Sequence, residues 1–268
     1  MAVFDPLRTL ALLLRSPLAT GACCMHLHLP KPLHGWREFL GEVGIIVIGV
    51  GIALGAEQMV STWHWQREVS DSDRRISRDL GEDLVNAYER LAINTCLQPR
   101  LAELRDELLK DQANWPGSRA NFAKDLYNPG FPSVYRTPNR TWSRAAWETA
   151  SNGETLGHFG AERVTQFANL FDAASTLERG QAEEAETAAS LGDLAFPGPI
   201  SATERRANLK LVAKLDALNA RIMFESRQIL DDAAKARVIP DAKLMKENLD
   251  QQRSYRGNCV RAPAMPAA

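Results

Sequence analysis

The stretch GEVGIIVIGVGIALGAEQ, Gly41 to Gln58, decides the fold of this chain, because the fourteen residues from Val43 to Ala56 carry no polar side chain on any helical face. A soluble amphipathic helix shows a polar stripe every three to four residues; a helix apolar all round needs a large protein core or lipid. Length alone favours a core or interfacial segment, since a hydrocarbon core takes roughly 20 residues to span. The flanks tip the balance toward a span. Phe39 and Leu40 extend the run on one side and Met59 and Val60 on the other, with Glu42, Glu57 and Gln58 near the ends where polar tips reach headgroups. Trp36 and the pair Trp63/Trp65 bracket it, and Trp36 to Trp63 is about 40 Å of helix, the thickness of a bilayer with its aromatic belts. A single transmembrane helix over 39–63 is the reading; a buried hairpin helix or an interfacial segment is the alternative.

The rest of the 268 residues is polar and ordinary in composition, with a formal charge of -1 and 45% apolar residues. That balance gives no electrostatic footprint for nucleic acid. No second apolar run approaches membrane length, which leaves one soluble domain over 66–261 and a short leader over 1–38. Lys31 and Arg37 precede the span while Arg67, Arg74 and Arg75 follow it, so local charge does not fix orientation. The short basic leader is the natural cytoplasmic side, because large domains translocate largely regardless of charge.

Residues 1–24 fail as a secretory signal: the apolar core is only Leu10 to Leu14, with Asp5 and Arg15 close by. Met25 is the expected true start. The cluster Cys23, Cys24, Met25, His26, His28 and His34 lacks metal-binding spacing, and no metal or other cofactor is expected.

From Lys31 to Gln58, KPLHGWREFLGEVGIIVIGVGIALGAEQ resembles an uncharacterised group of bacterial single-pass proteins that open with a GWREFL-like motif and an EVxIIVxGVxIALxAEQ-like span. The resemblance implies an inner-membrane anchor, a cytoplasmic N-terminus and a helical periplasmic domain. It implies no activity. Within the span, Gly51 and Gly55 form a GxxxG pair with Gly44 on a similar face, a spacing that permits close helix approach and homo-oligomerisation.

Beyond the span the pattern is all-α, an antiparallel helical bundle. Ile76, Leu80, Leu84, Ala87 and Leu91 form one helical face, with Arg74, Arg75, Arg78, Asp79, Glu82 and Asp83 covering the other. This helix is expected to run from about Ser70 to Cys96 and to break or kink at Pro99. The segment 112–140 reads as a long loop with one helical turn around Phe122 to Leu126. A short helix starts near Trp142 and closes at Gly153, and a longer one runs from Gly160 to about Leu191. Ser201 and Glu204 form a capping box for a helix to about Val238, and Pro240-Asp241 opens a last helix before a tail disordered from Ala262.

Trp142, Arg144, Trp147 and His158 are the candidate lining of a ligand pocket, against the alternative that they pack the core. Cys96 and Cys259, the cysteines beyond the span, each end an expected helix and are paired here as a disulfide. Neither a nucleophile beside a base, a metal-binding helix motif nor a phosphate-cradling glycine loop is present, so no catalytic residue is assigned. A membrane-anchored interaction or scaffold module, whose partners are the bilayer and a second copy or another membrane or periplasmic protein, is the expected function. The alternative is an extracytoplasmic small-ligand sensor acting through a partner protein.

Overall fold

A computed structural model describes residues 35–120 and 133–264 of the chain. Among the described residues the fold is all-α, with five helices: α1 (Trp36–Leu109), α2 (Ala145–Asn152), α3 (Ala161–Ala189), α4 (Ala202–Lys235) and α5 (Ala242–Arg256). The only strands among them are the two-residue β1 (Asn114–Trp115) and β2 (Gly198–Pro199), which pair antiparallel. The chain divides into two compact units at Glu57/Gln58. The described part of the first unit, 35–57, lies within α1 apart from Gly35. The second unit, from Gln58 onward, is the helical bundle.

The core of the bundle is built on α1. Ile76, Leu80, Leu84 and Ala87 are fully buried and Leu91 nearly so, as their spacing requires. Val85, Tyr88, Ala92 and Ile93 are buried as well, so α1 is covered on more than one face. Asp83, placed by the pattern on the solvent side, is instead only 2% exposed, because the 141–147 segment crosses above it and the backbone N–H of Ser143 donates to its carboxylate.

Pro99 does not break α1, which continues to Leu109. An interior proline costs about 3 kcal/mol. Leu97, Leu101, Leu104 and Leu108, each at most 2% exposed, continue the buried stripe on both sides of it. Burial at roughly 1.5–3 kcal/mol per leucine outweighs the loss.

The bundle is not antiparallel throughout. Pairing of Gly180 with Ile222 and of Glu183 with Lys214 sets α3 and α4 running in opposite directions, whereas Asp73 with Arg163 and Arg90 with Glu184 set α1 and α3 parallel. Glu89 with Gln252 and Cys96 with Cys259 make α5 parallel to α1 too. The 133–146 segment makes this possible, since it runs back along α1 from Val134 beside Arg100, through Thr141 beside Asn86, to Ala146 beside Asp79 before α3 begins. The helical turn expected around Phe122 to Leu126 lies outside the described residues.

Capping follows the sequence closely. Ser201 and Glu204 exchange both capping-box hydrogen bonds, and the Asp241 side chain accepts from the Leu244 N–H. The α2 N-terminus is capped from a distance: Asp79 of α1 accepts from the Ala146 N–H at 3.0 Å and from the Ser143 hydroxyl. Gly81 allows the loop before α5 to lie on α1, since a Cβ there would fall 2.8 Å from the Ile239 carbonyl oxygen. The C-terminal segment is tied down past Ala262: Val260 is buried, Arg261 N–H donates to the Ala92 carbonyl, and the Tyr88 hydroxyl donates to the Pro263 carbonyl.

Candidate functional site

One helix among the described residues, α1, is long and apolar enough to cross a membrane, and none of its apolar window is buried within the protein. Ile45 is 74% exposed, and Ile46, Val47, Ile48, Ile52 and Leu54 are also open. Trp36 at one end is 73% exposed and stands beside Phe39. Met59, Val60 and Trp63 continue the exposure at the start of the bundle unit, where the Arg67 guanidinium lies over the Trp63 ring at 5.6 Å. Side chains of this kind left in water would form an apolar patch far beyond what a monomeric soluble protein displays. A Cβ added at Gly44, Gly51 or Gly55 would meet nothing within 4 Å. Their face is therefore open to a neighbouring helix, and no packing among the described residues explains the glycines.

Beside the first turns of the bundle unit is a groove of about 790 Å³. One wall is an α1 stripe, Gln58, Ser61, Thr62, Trp65 and Gln66, whose spacing puts them on one helical face. The other wall is His158, which ends the 3₁₀ turn Thr155–His158, with Phe159 and Gly160 after it. Trp65 and His158 stack across it with ring centroids 3.7 Å apart. Arg163 closes the inner end, bonding Asp73 at 2.7 Å and the Ala236 carbonyl at 2.5 Å while its guanidinium covers the Phe167 ring.

The four residues expected to share a pocket are distributed over three places. Trp142 and Arg144 line a shallow depression of about 580 Å³ with Glu148 and Glu178. Trp147 belongs to the core, stacked on Phe171 at 5.5 Å and edge-on to Phe167. His158 lies in the groove against Trp65. The core alternative therefore describes Trp147, while His158 acquires an aromatic partner that no local pattern revealed.

Cys96 and Cys259 form a disulfide with Cα atoms 5.2 Å apart. It borders a cavity of about 530 Å³ that Arg100, Tyr135 and Arg256 also line.

Sequence reasoning missed a buried polar network behind that cavity. Arg90 and Glu184, both almost wholly enclosed, pair at 2.6 Å. Asn219 accepts from Arg90 at 2.7 Å and donates to Asn94, while the Tyr135 hydroxyl donates to Glu184. Burial pushes the Tyr135 hydroxyl well above its ordinary range, and burial with the nearby Arg90 charge lowers Arg256 to about 10. Next to it, Arg140 grips Glu89 through two hydrogen bonds, and Gln252 donates to the same carboxylate. Buried arginine and glutamate give no periodic signal, so only the contacts disclose them. Asp83 is a separate case: burial raises its carboxyl to about 7, and one of its oxygens has no partner among the described residues.

No cluster of three or more histidine, cysteine or acidic side chains that could hold a metal occurs among the described residues. The Cys23 to His34 cluster lies outside them. No protein-family model matches this chain, and neither a curated protein nor a solved structure shows significant similarity to it.

Proposed function

We propose that this protein is a single-pass, membrane-anchored helical interaction module, its span near 39–63 and its bundle on the far side of a bacterial inner membrane from a cytoplasmic leader. The observation that carries the reading is the apolar window of α1, of which no part is buried. The resemblance of residues 31–58 to bacterial single-pass proteins and the bridge between Cys96 and Cys259, a bond favoured in oxidising compartments, support the periplasmic placement. The open face of Gly44, Gly51 and Gly55 supports self-association of the span. In a membrane two-hybrid reporter the isolated span is expected to give a dimer signal that Gly51→Ile lowers, because bulk on that face separates the backbones. An unchanged signal removes the homo-oligomer from the reading. A second reading, a small-ligand sensor acting through a partner protein, is favoured by the cavity of about 530 Å³ beside Tyr135 and Arg256. Mass spectrometry of detergent-purified protein separates the two: a stoichiometric protein partner supports the module, a retained small molecule the sensor.

A further inference from the structure

We infer that the groove between α1 and the 155–160 turn is a binding site for a phospholipid headgroup; this rests on the membrane reading above. Position is the first argument. Met59, Val60 and Trp63 point apolar surface outward from the same two turns whose other face, Gln58, Ser61, Thr62 and Trp65, lines the groove. Gln58 to Trp65 covers about 10 Å of helix, comparable to the headgroup layer of one leaflet, roughly 5–7 Å.

The lining chemistry is the second argument. Gln58, Ser61 and Gln66 make no side-chain hydrogen bond among the described residues, although they stand together on one wall. These amides and this hydroxyl are donors for phosphate and ester oxygens. The carboxylate in the groove, Asp73, is already held by Arg163 through two hydrogen bonds, so it does not repel an incoming phosphate. The Trp65 and His158 rings, stacked from opposite walls, give the groove an apolar surface against which a glycerol backbone can rest. Gly160 lines the groove without a side chain, and a Cβ there would meet nothing within 4 Å.

The test uses the full chain with a benzophenone photo-crosslinker placed singly at Ile46, Gln66 or Arg67. It is first reconstituted in vesicles of phosphatidylethanolamine and phosphatidylglycerol, then exchanged into washed dodecyl maltoside. In vesicles the Ile46 probe is expected to give lipid adducts; their absence overturns the membrane reading itself. After detergent exchange the Gln66 adduct is expected to persist while that at Arg67, on another face at the same level, is lost. Gly160→Trp fills the groove from a position with φ -65° and ψ 134° that any residue adopts, and is expected to abolish the Gln66 adduct and leave the Ile46 adduct in vesicles unchanged. Loss of the Gln66 adduct together with that at Arg67, or its survival in Gly160→Trp, overturns the groove site while leaving the anchor intact.

Discussion

Asp83 shows how a single carboxyl links the fold to pH. Its pKa is raised from 3.8 to about 7 chiefly by burial, against the opposing hydrogen bond from Ser143. Well below pH 3.8 both folded and unfolded chains hold the proton and the group contributes nothing. As pH rises from 3.8 to about 7 the unfolded chain releases it first, so the folded state loses stability across that window, up to a ceiling of roughly 4 kcal/mol above pH 7. Asp83→Asn keeps an acceptor for the Ser143 N–H and removes the titration. Urea midpoints are expected to show wild-type stability falling by about 2–4 kcal/mol more than that of the variant between pH 4.5 and pH 8; parallel pH profiles contradict this. The sequence showed Asp83 among charged residues on a helical face, and nothing local signalled that the 141–147 segment would cover it. Arg90 and Glu184 were hidden for the same reason, since their partners are 94 residues apart.

Elements were more legible than residues. The buried stripe from Ile76 to Leu91, the capping box at Ser201 and the start of α5 at Asp241 depend on neighbours within a turn or two, and the structure places all of them as the spacing implies. Pro99 failed as a helix terminator because the outcome depends on tertiary burial of the leucines after it. It remains a cost to α1, since its ring removes a hydrogen bond to the Thr95 carbonyl. Pro99→Ala is therefore expected to raise stability by about 1–2 kcal/mol, the helix gain of up to about 3 kcal/mol being offset by the added freedom of the unfolded chain. Thermal denaturation of the soluble bundle checks this; a lowered midpoint means the proline shapes a packing that α1 needs. The parallel course of α1 and α3 was not legible, because a long connection carries no sign of where it returns.

At the scale of the molecule, the disulfide and the exposed apolar run of α1 are the features that organise the chain. Cys96 and Cys259 lie 163 residues apart, a loop for which chain entropy gives a stabilising ceiling of about 5 kcal/mol. Together with the Arg261 and Tyr88 hydrogen bonds it holds the C-terminal segment to α1. Cys96→Ser with Cys259→Ser is expected to lower the unfolding free energy by about 2–5 kcal/mol and to speed proteolysis after Arg256; unchanged stability would mean that the hydrogen bonds hold the segment alone. The apolar run of α1 was the most legible feature, since it needs no tertiary contact to be recognised, and Ile45, Ile52 and Leu54 within it are exposed. The most direct test is alkaline carbonate extraction of membranes from cells producing either the full chain or residues 67–268. The full chain is expected to stay in the pellet and the shorter form to be soluble and largely helical; release of the full chain into the supernatant would contradict a membrane-spanning α1.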